Sequence, residues 1–544
     1  MLASINIATI DLVIIVTYML VITTLGVWLT RRKRMTGEIY FLAGRSLRWP
    51  VIGAALFASN ISTIHFVGLA EAGYKYGLVI GNFEWMATFT LMLLALVFAP
   101  FYFKSHISTL PEFLEKRYCP STRSILACMA ILSALLIHIG ISLFAGAVVF
   151  KTFFGIDIVT SILIIATVTG LYTALGGLKA VVFTETVGTF VLLTGAITVT
   201  LMGIFALPSV GVHSLADFKA AVKPDQLSML QASNKDGFAW YAIFLGYPIL
   251  GIWYWCTDQT IVQRVLGART QLDAQHGALF AGVLKILPVF FLVLPGVLGY
   301  VLYKQQIGDK ALQTFPFMVN SLIPVGLKGI VAAALVAALM SSIGGALNSV
   351  GTLVAIDLVK HFRPQTTDAG QVRIGAFSSV VVMILATVWS TQGGKFGSIF
   401  EAINKMPAQF LAPPITTVFV WGVFWRRGTK QAALTTLIVG FIYGIVAFVI
   451  DLPVFGDTQW ISDPKKGLGI SFMMQAWWNF CICSVIYVIT SLLTPKPDPA
   501  QVDSLTWGNP LKVIFHGKLA GAGDPRLVAA VIFVGMVVLY SIFH

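Results

Sequence analysis

The sequence predicts an all-α integral membrane protein with about 14 transmembrane helices. Of its 544 residues, 57% are hydrophobic and only 11% are charged, which excludes an ordinary soluble protein. The mean hydropathy is +0.86. Apolar stretches of about 20 residues, the length needed to cross a bilayer, recur along the whole chain. Two of these stretches contain polar runs, which indicates a site inside the membrane.

Span 1 is followed by the basic run 31–34 (RRKR). It is not predicted to be a cleavable signal peptide, because Asp11 rather than a basic region precedes its apolar core. We number the predicted spans 1 to 14 in chain order. They lie at 10–30, 48–74, 78–103, 122–150, 157–175, 180–207, 238–264, 276–303, 326–358, 374–391, 397–425, 431–451, 471–494 and 527–543.

The distribution of Lys and Arg predicts the topology. If the run 31–34 is cytoplasmic and the sides alternate, cytoplasmic loops carry about 23 of the 36 basic residues and outer loops about 11. This bias favours 14 spans. Both termini are then predicted to lie on the outer side of the inner or plasma membrane. The net charge of +13 therefore reflects cytoplasmic loops and indicates no nucleic-acid partner.

Spans 2 and 7 are predicted to be broken helices. The stretches 57–74 (FASNISTIHFVGLAEAGY) and 246–264 (GYPILGIWYWCTDQTIVQR) both carry polar residues in mid-membrane. An unpaired polar group in hydrocarbon costs several kcal/mol, so a lipid-facing helix would not contain such a run. The alternative is that Asn60 and the neighbouring hydroxyls only join helices through hydrogen bonds.

These two breaks predict the domain organisation. The chain 1–544 is expected to form a single transporter domain, with an extra first helix at 8–30. Spans 2–6 (48–207) form one five-helix repeat and spans 7–11 (238–425) a second, which is inverted because each repeat has an odd number of spans. Additional C-terminal helices occupy 430–544, where the polar, Pro-rich stretch 495–526 is a linker before span 14.

Three ionisable residues within spans are candidates for a substrate site, because such groups are costly in a membrane. Glu84 lies on span 3, Lys285 on span 8 and His65 on span 2. A carboxylate that accepts and an ammonium that donates hydrogen bonds suit the vicinal hydroxyls of a sugar. The alternatives are a structural Glu84–Lys285 ion pair without a ligand, and an interior histidine whose hydrogen bonds are satisfied.

Aromatic residues on span 7 favour the same ligand class. Trp253, Tyr254 and Trp255 are consecutive, and their flat faces could stack on the C–H face of a sugar. The alternative is an interfacial aromatic belt.

The adjacent hydroxyls of Ser341 and Ser342 on span 9 could supply hard oxygen ligands for sodium, together with carbonyls freed by a broken helix. The alternative is bonding of each serine to the preceding helical turn. The sequence contains no phosphate-binding loop, metal-ligand spacing or Ser-His-Asp arrangement that would indicate an enzyme. Its five cysteines predict no disulfide framework.

The chain resembles the solute:sodium symporters, and within them the sodium/glucose cotransporters, over nearly its whole length. The motifs that carry the resemblance are YFLAGRSLRWPVIGAALFASNIST (40–63), TLPEFLEKRY (109–118), WYWCTDQTIVQR (253–264), LKILPVFFLVLPG (284–296), AALMSSIGGALNS (337–349) and LAPPITTVFVWGVFWRR (411–427). The resemblance implies the LeuT-type fold of inverted five-helix repeats and 14 spans.

The resemblance also implies the site residues. A sodium ion would bind carbonyls and hydroxyls of Ala58, Ile61, Ala338, Ser341 and Ser342. The substrate positions would be Asn60, His65, Glu84, Tyr254, Trp255 and Lys285, with Tyr254 closing the inner side. Leu69 and Phe83 would belong to an outer gate.

The sequence departs from the family pattern at four places. Gly251 stands where sugar-binding relatives often carry Asn or Thr. Lys405 stands where they carry a sugar-binding Gln, so it is included among the substrate positions and favours a substrate with an acidic group. Glu185 replaces an Asp near a route for sodium. Gly344 and Gly345 replace hydroxyl residues of members that use two sodium ions, which predicts one sodium per substrate.

The resulting expectation is a sodium-coupled symporter that imports a hexose by alternating access, in a bacterial inner membrane. Alternatives are symport of myo-inositol or a sugar acid, or a sugar sensor or channel that does not transport. The expected partners are a sugar or polyol and the lipid bilayer, without an obligate protein partner.

Overall fold

The architecture of the chain is an assembly of packed helices. A computed structural model describes residues 7–30, 36–232, 237–392, 405–452, 459–507, 519 and 521–544. Every regular element in these ranges is a helix. Ten of the described helices are long and apolar enough to cross a membrane, and a further pair bent by 61° passes the same test together.

Each predicted span has a helical counterpart. In chain order, the helices are Thr9–Thr30, Trp49–Asn60 with Thr63–Tyr76, Leu78–Lys104, Pro120–Phe154, Ile158–Ala206, Trp240–Gly251 with Ile252–Thr257 and Gln259–Leu266, Gln271–Ile307, Leu327–Lys360, Asp368–Ser390, Pro407–Phe424, Lys430–Ile450, Phe472–Leu493 and Pro525–Ile542. Spans 5 and 6 together form Ile158–Ala206, which is interrupted at Gly177. The count of fourteen crossings stays a prediction.

The observed helices differ from the predicted spans mainly in where they begin and end. Span 8 extends over Gln271–Ile307 and span 10 begins at Asp368. Thr270 and Thr367 cap the starts of these helices, and each accepts a hydrogen bond from a first-turn backbone N–H. Capped polar turns extend a helix beyond its apolar run, so hydropathy alone underestimates its length. The positions 31–34 and 397–404 lie outside the described residues.

Span 9 (Leu327–Lys360) is the central helix of the fold. Its side chains are buried almost throughout, which agrees with its richness in small residues that permit close helix packing. Span 1 is attached to its start, because the buried carboxylate of Asp11 accepts hydrogen bonds at 2.7 Å from the N–H groups of Gly326 and Gly329. These donors have no intrahelical partner, so Asp11 acts as their cap from another helix.

Spans 2 and 8 approach each other closely at two glycines. A Cβ atom at Gly296 would lie 2.1 Å from the carbonyl oxygen of Ala70, and one at Gly73 would lie 2.3 Å from that of Val293. Only glycine allows this backbone separation. The contact brings Lys285 on span 8 towards the broken part of span 2.

Candidate functional site

The break in span 2 follows from its own polar residues. The first half-helix ends at Asn60 and the second begins at Thr63. The Ser62 N–H donates to Nδ1 of His65 at 3.1 Å. In a continuous helix that N–H would bond to the carbonyl of Ala58. The polar run therefore frees the Ala58 carbonyl at the end of the half-helix.

Span 7 is broken in the same manner. A π-helical turn, Ile252–Thr257, carries Trp253, Tyr254 and Trp255. The extended backbone of Asp258 (φ −84°, ψ 124°) then ends the turn. The Asp258 side chain accepts from the Thr260 N–H at 2.7 Å and so caps the next helix. Both predicted breaks are present at the predicted residues.

Lys285 is placed by a third interruption, in span 8. The helix stops at Leu284 and Lys285 is its C-cap residue. Pro288 has no N–H to donate to the Leu284 carbonyl, which explains the local loss of helix. Glu84 lies in the first turn of a helix that starts at Asn82.

Residues from these spans line one cavity. Eight predicted residues line it: Asn60, His65, Leu69, Phe83, Glu84, Tyr254, Trp255 and Lys285. They come from spans 2, 3, 7 and 8, so the fold brings together residues that are up to 225 positions apart in the chain. The cavity therefore contains both the polar and the aromatic groups expected for a sugar.

The polar groups of the cavity form one hydrogen-bonded network. Lys285 Nζ donates to Glu84 Oε2 and to Asn60 Oδ1. Asn60 Nδ2 donates to the Tyr254 hydroxyl at 3.1 Å. The His65 Nε2 atom lies 3.8 Å from Glu84 Oε1. Since Nδ1 of His65 accepts from Ser62, its neutral ring carries the proton on Nε2, which faces Glu84.

Aromatic rings enclose this network. The Lys285 ammonium lies 5.5 Å from the centre of the Trp255 ring, within the range of a cation–π contact. Phe83, a predicted gate residue, stacks on Phe472 of span 13 at 6.2 Å and contacts Tyr247 edge to face at 5.9 Å. Phe83 therefore joins the core of the protein to a C-terminal helix.

The predicted sodium residues lie where spans 2 and 9 meet. Ser342 Oγ lies 3.2 Å from the Ser59 carbonyl and 3.1 Å from the Ala338 carbonyl. Ser341 Oγ is buried and has no hydrogen-bond partner among the described residues. A buried hydroxyl without a partner, at the residue next to a serine that contacts the end of the half-helix, fits a hard cation such as sodium. Ala58, Ile61 and Ala338 are fully buried at the same junction.

The departures from the family pattern have different structural settings. Among the described residues that line the cavity, Pro407 represents span 11 and Lys405 is absent. Gly251 does line the cavity, and a Cβ atom there would lie 2.6 Å from the Thr90 side chain. A larger residue at position 251 would therefore require the side chains of Thr90 and Tyr247 to shift.

Glu185 is paired rather than open to a passing ion. Both of its carboxylate oxygens accept hydrogen bonds from the guanidinium of Arg264, and both side chains are buried. Arg264 also donates to the Thr260 carbonyl. A Cβ atom at Gly345 would lie 2.2 Å from Arg264 Nη2, so this pair packs directly on the glycine of span 9.

Sequence reasoning missed the contribution of span 4 to the cavity. Ile137, His138 and Ser142 line it, and they lie in or next to the π-helical turn Ala134–Ile141. An ionisable residue in an apolar span is a candidate for a functional site, so the sequence alone could have pointed to His138. Its neighbourhood could not be deduced, because its partners are on span 7.

The sequence and the fold of this chain are similar to those of known proteins. The model of the sodium:solute symporter family matches residues 40–440. The chain is 34% identical to the sodium/mannose cotransporter of Bos taurus, over 92% of this chain and 89% of the relative. It is 31% identical to sodium/myo-inositol cotransporter 2 of Oryctolagus cuniculus, over 91% and 78% respectively. A solved structure of a Na⁺-coupled sialic acid symporter superposes with a TM-score of 0.77 at 20% identity, covering 91% of this chain and 100% of the other.

Proposed function

Because this chain belongs to the sodium:solute symporter family, we propose that it imports a hexose or similar polyol together with sodium by alternating access. The observation that carries the proposal is the single cavity in which Asn60, Glu84 and Lys285 face the rings of Tyr254 and Trp255. Directional donors and acceptors beside flat apolar faces match the hydroxyls and the C–H face of a sugar. The curated relatives named for mannose and myo-inositol support this ligand class.

Sodium has a defined role in this mechanism. Carbonyls of Ala58, Ile61 and Ala338 and hydroxyls of Ser341 and Ser342 bind the ion and thereby hold span 2 against span 9. A ligand shifts a conformational equilibrium only by its different affinity for the two states. Sodium therefore favours the outward-open state if these two spans separate in the inward-open state. Sugar then bridges the two repeats, and departure of sodium releases the broken helix and the sugar.

We propose a stoichiometry of one sodium per substrate. Gly344 and Gly345 offer no side-chain oxygen, and the carboxylate of Glu185 is already neutralised by Arg264. A second cation at this position would compete with a bidentate guanidinium–carboxylate pair, which is a strong charge-assisted interaction.

The test is uptake into proteoliposomes with an inward sodium gradient. Labelled glucose, mannose and galactose are presented against an excess of unlabelled myo-inositol, polyols and sugar acids. The proposal expects sodium-dependent accumulation of a hexose that other hexoses inhibit. Sugar-evoked current without accumulation would contradict it and favour a sensor or channel.

The same experiment tests the sugar-acid alternative, for which Lys405 is the supporting residue. If carboxylated sugars alone compete, and if Lys405→Gln removes that competition, the substrate is an acid. Lys310→Gln is a matched control, because Lys310 is a lysine of a predicted outer loop, remote in sequence from every cavity residue. It should leave the competition pattern unchanged.

A further inference from the structure

His138 has two kinds of contact with the broken part of span 7. Its Nε2 atom lies 3.2 Å from Asp258 Oδ2. Its ring also packs near Trp253 and Tyr254, with centres 6.4 and 5.8 Å apart. The side chain is largely buried, with 11% exposed, and it lines the substrate cavity. His138 therefore connects span 4 of the first predicted repeat to span 7 of the second.

The π-helical turn of span 4 explains how His138 reaches this position. A π-turn inserts an extra residue and shifts the helix face, and such turns are frequent at functional sites. It also disturbs the backbone hydrogen bonds of the turn. The indole N–H of Trp389 donates to the carbonyl of Leu136 at 3.1 Å. The turn that carries His138 is thus supported from span 10.

The two carboxylate oxygens of Asp258 contact two different elements. Oδ1 caps the helix Gln259–Leu266, and Oδ2 is the atom that faces His138. The positive end of a helix dipole stabilises an anion at this position. Because Asp258 is only 5% exposed, its second oxygen needs a donor from the protein, and His138 supplies it.

The His138–Asp258 bond lies next to the part of span 7 that bears Tyr254. Tyr254 lies four residues before Asp258 and accepts a hydrogen bond from Asn60. Along span 7, Asp258 is on the side of Tyr254 opposite to Tyr247, which contacts the predicted outer gate residue Phe83. A movement of the broken segment away from span 4 must therefore break the His138–Asp258 bond.

We propose that His138 and Asp258 form a latch that holds the floor of the substrate cavity closed, where the floor is the segment 254–258 of span 7. His138 is then a positioning residue for Tyr254. The proposal rests on the alternating-access function proposed above. The latch is closed in the present structure and opens when the segment around Tyr254 moves away from span 4. Its loss increases the time that the floor is open.

The accessibility of the Cys256 thiol to a labelling reagent can be used to measure this opening. Cys256 lies between Tyr254 and Asp258, its side chain is fully buried, and its thiol contacts the Thr90 carbonyl. The rate at which a small, membrane-permeant methanethiosulfonate reagent labels Cys256 can be measured by mass spectrometry of the full-length protein in proteoliposomes. Cys483 is the internal control, since it is also buried but lies on span 13.

The His138→Phe variant retains an aromatic ring at this position but loses the N–H that donates to Asp258. We expect labelling of Cys256 to increase on the order of tenfold, as for the loss of one hydrogen bond to a charged group, while labelling of Cys483 is unchanged. His138→Gln retains an N–H at a similar distance from the backbone and should label at nearly the wild-type rate. Wild-type labelling in the Phe variant would overturn the latch.

Two further results would also overturn it. Equal increases at Cys256 and Cys483 would mean general loosening of the fold, and equal increases in the Phe and Gln variants would mean that the hydrogen bond is irrelevant. Labelling needs no substrate. Failure of the wild-type protein to accumulate any sugar would therefore count against the proposed function and leave the latch to be decided by Cys256.

Discussion

At the scale of single residues, the polar groups of the cavity are hydrogen-bonded to one another. Lys285 donates to both Glu84 and Asn60, and Asn60 donates to Tyr254. A substrate must replace some of these bonds with bonds of its own. It gains specificity in this way, because a ligand that lacks a matching hydroxyl leaves a buried group unpaired.

The Glu84–Lys285 pair provides a test of whether these charges serve the substrate or only the fold. Glu84→Leu or Lys285→Met alone leaves a buried charge without its partner, so each should lower the free energy of unfolding by about 3–5 kcal/mol. The double variant removes both charges and should recover most of that loss. We expect all three variants to lose sodium-dependent sugar uptake. Thermal unfolding and proteoliposome uptake measure the two effects separately.

A matched control is the ion pair Lys75–Glu71, which joins residues of span 2 at 2.6 Å outside the cavity. Glu71→Gln should retain uptake. Transport by the Glu84→Leu/Lys285→Met double variant would contradict a substrate role and establish the structural alternative.

At the scale of elements, the break in span 2 couples the two predicted ligand sites. One short polar segment presents Asn60 and His65 to the cavity and the end of its first half-helix to Ser342. The His65 ring is part of both, since it removes the Ser62 N–H from the helix and faces Glu84. We therefore expect binding at either predicted site to stabilise the same bent backbone, which is a physical basis for positive coupling.

The serine pair on span 9 gives a test of the sodium site at this scale. Ser341 Oγ is buried and makes no hydrogen bond to a described residue, so Ser341→Ala should have little effect on stability in sodium-free buffer. In the wild type, sodium at about 100 times its Kd should add roughly 2.7 kcal/mol of stability. We expect that increment to be lost in Ser341→Ala over the same concentration range. Thermal unfolding in sodium against choline measures it.

Ser133→Ala is the matched control, since Ser133 Oγ on span 4 is likewise buried without a partner in the described part of the chain. It should show the full sodium-induced stabilisation. The same full stabilisation in Ser341→Ala would remove Ser341 from the sodium site.

At the scale of the whole molecule, the fold is the predicted LeuT-type arrangement, as the superposition with the sialic acid symporter shows. The protein is an integral, multi-pass membrane protein. Long-range polar contacts lock the elements together: Asp11 caps span 9 from span 1, and Glu185 of span 6 pairs with Arg264 of span 7. The exact repeat boundaries and the side of each terminus remain predictions.

The stoichiometry is a property of the whole transport cycle and sets its driving force. One sodium supplies about 2.3 kcal/mol at 100 mV and about 1.4 kcal/mol for a tenfold gradient, which allows accumulation of a few hundredfold. Two sodium ions would square that ratio. We expect a flux ratio of one ²²Na⁺ per labelled sugar in proteoliposomes, and a measured ratio of two would contradict the proposal.

The sequence by itself determined the membrane class, the positions of the helices and the two broken spans. These features depend on local hydropathy and on polar runs that cannot face lipid. They can therefore be deduced without knowing which distant parts of the chain are in contact. The family was also identified from motifs such as 253–264 and 337–349, and the comparisons confirm it. Eight of the predicted substrate and gate residues line one cavity, and the family resemblance had implied all eight of these positions.

Only the tertiary structure decided how the charges pair and which span completes the cavity. Glu185 and Arg264 are 79 positions apart, and His138 and Asp258 are 120 apart. Lys405 was placed in the cavity by analogy, but it is absent from the described lining residues. Side-chain partners depend on how helices pack and on small shifts of register such as the π-turn at 134–141. Neither is expressed in the local pattern of a sequence, because both arise from contacts between distant parts of the chain.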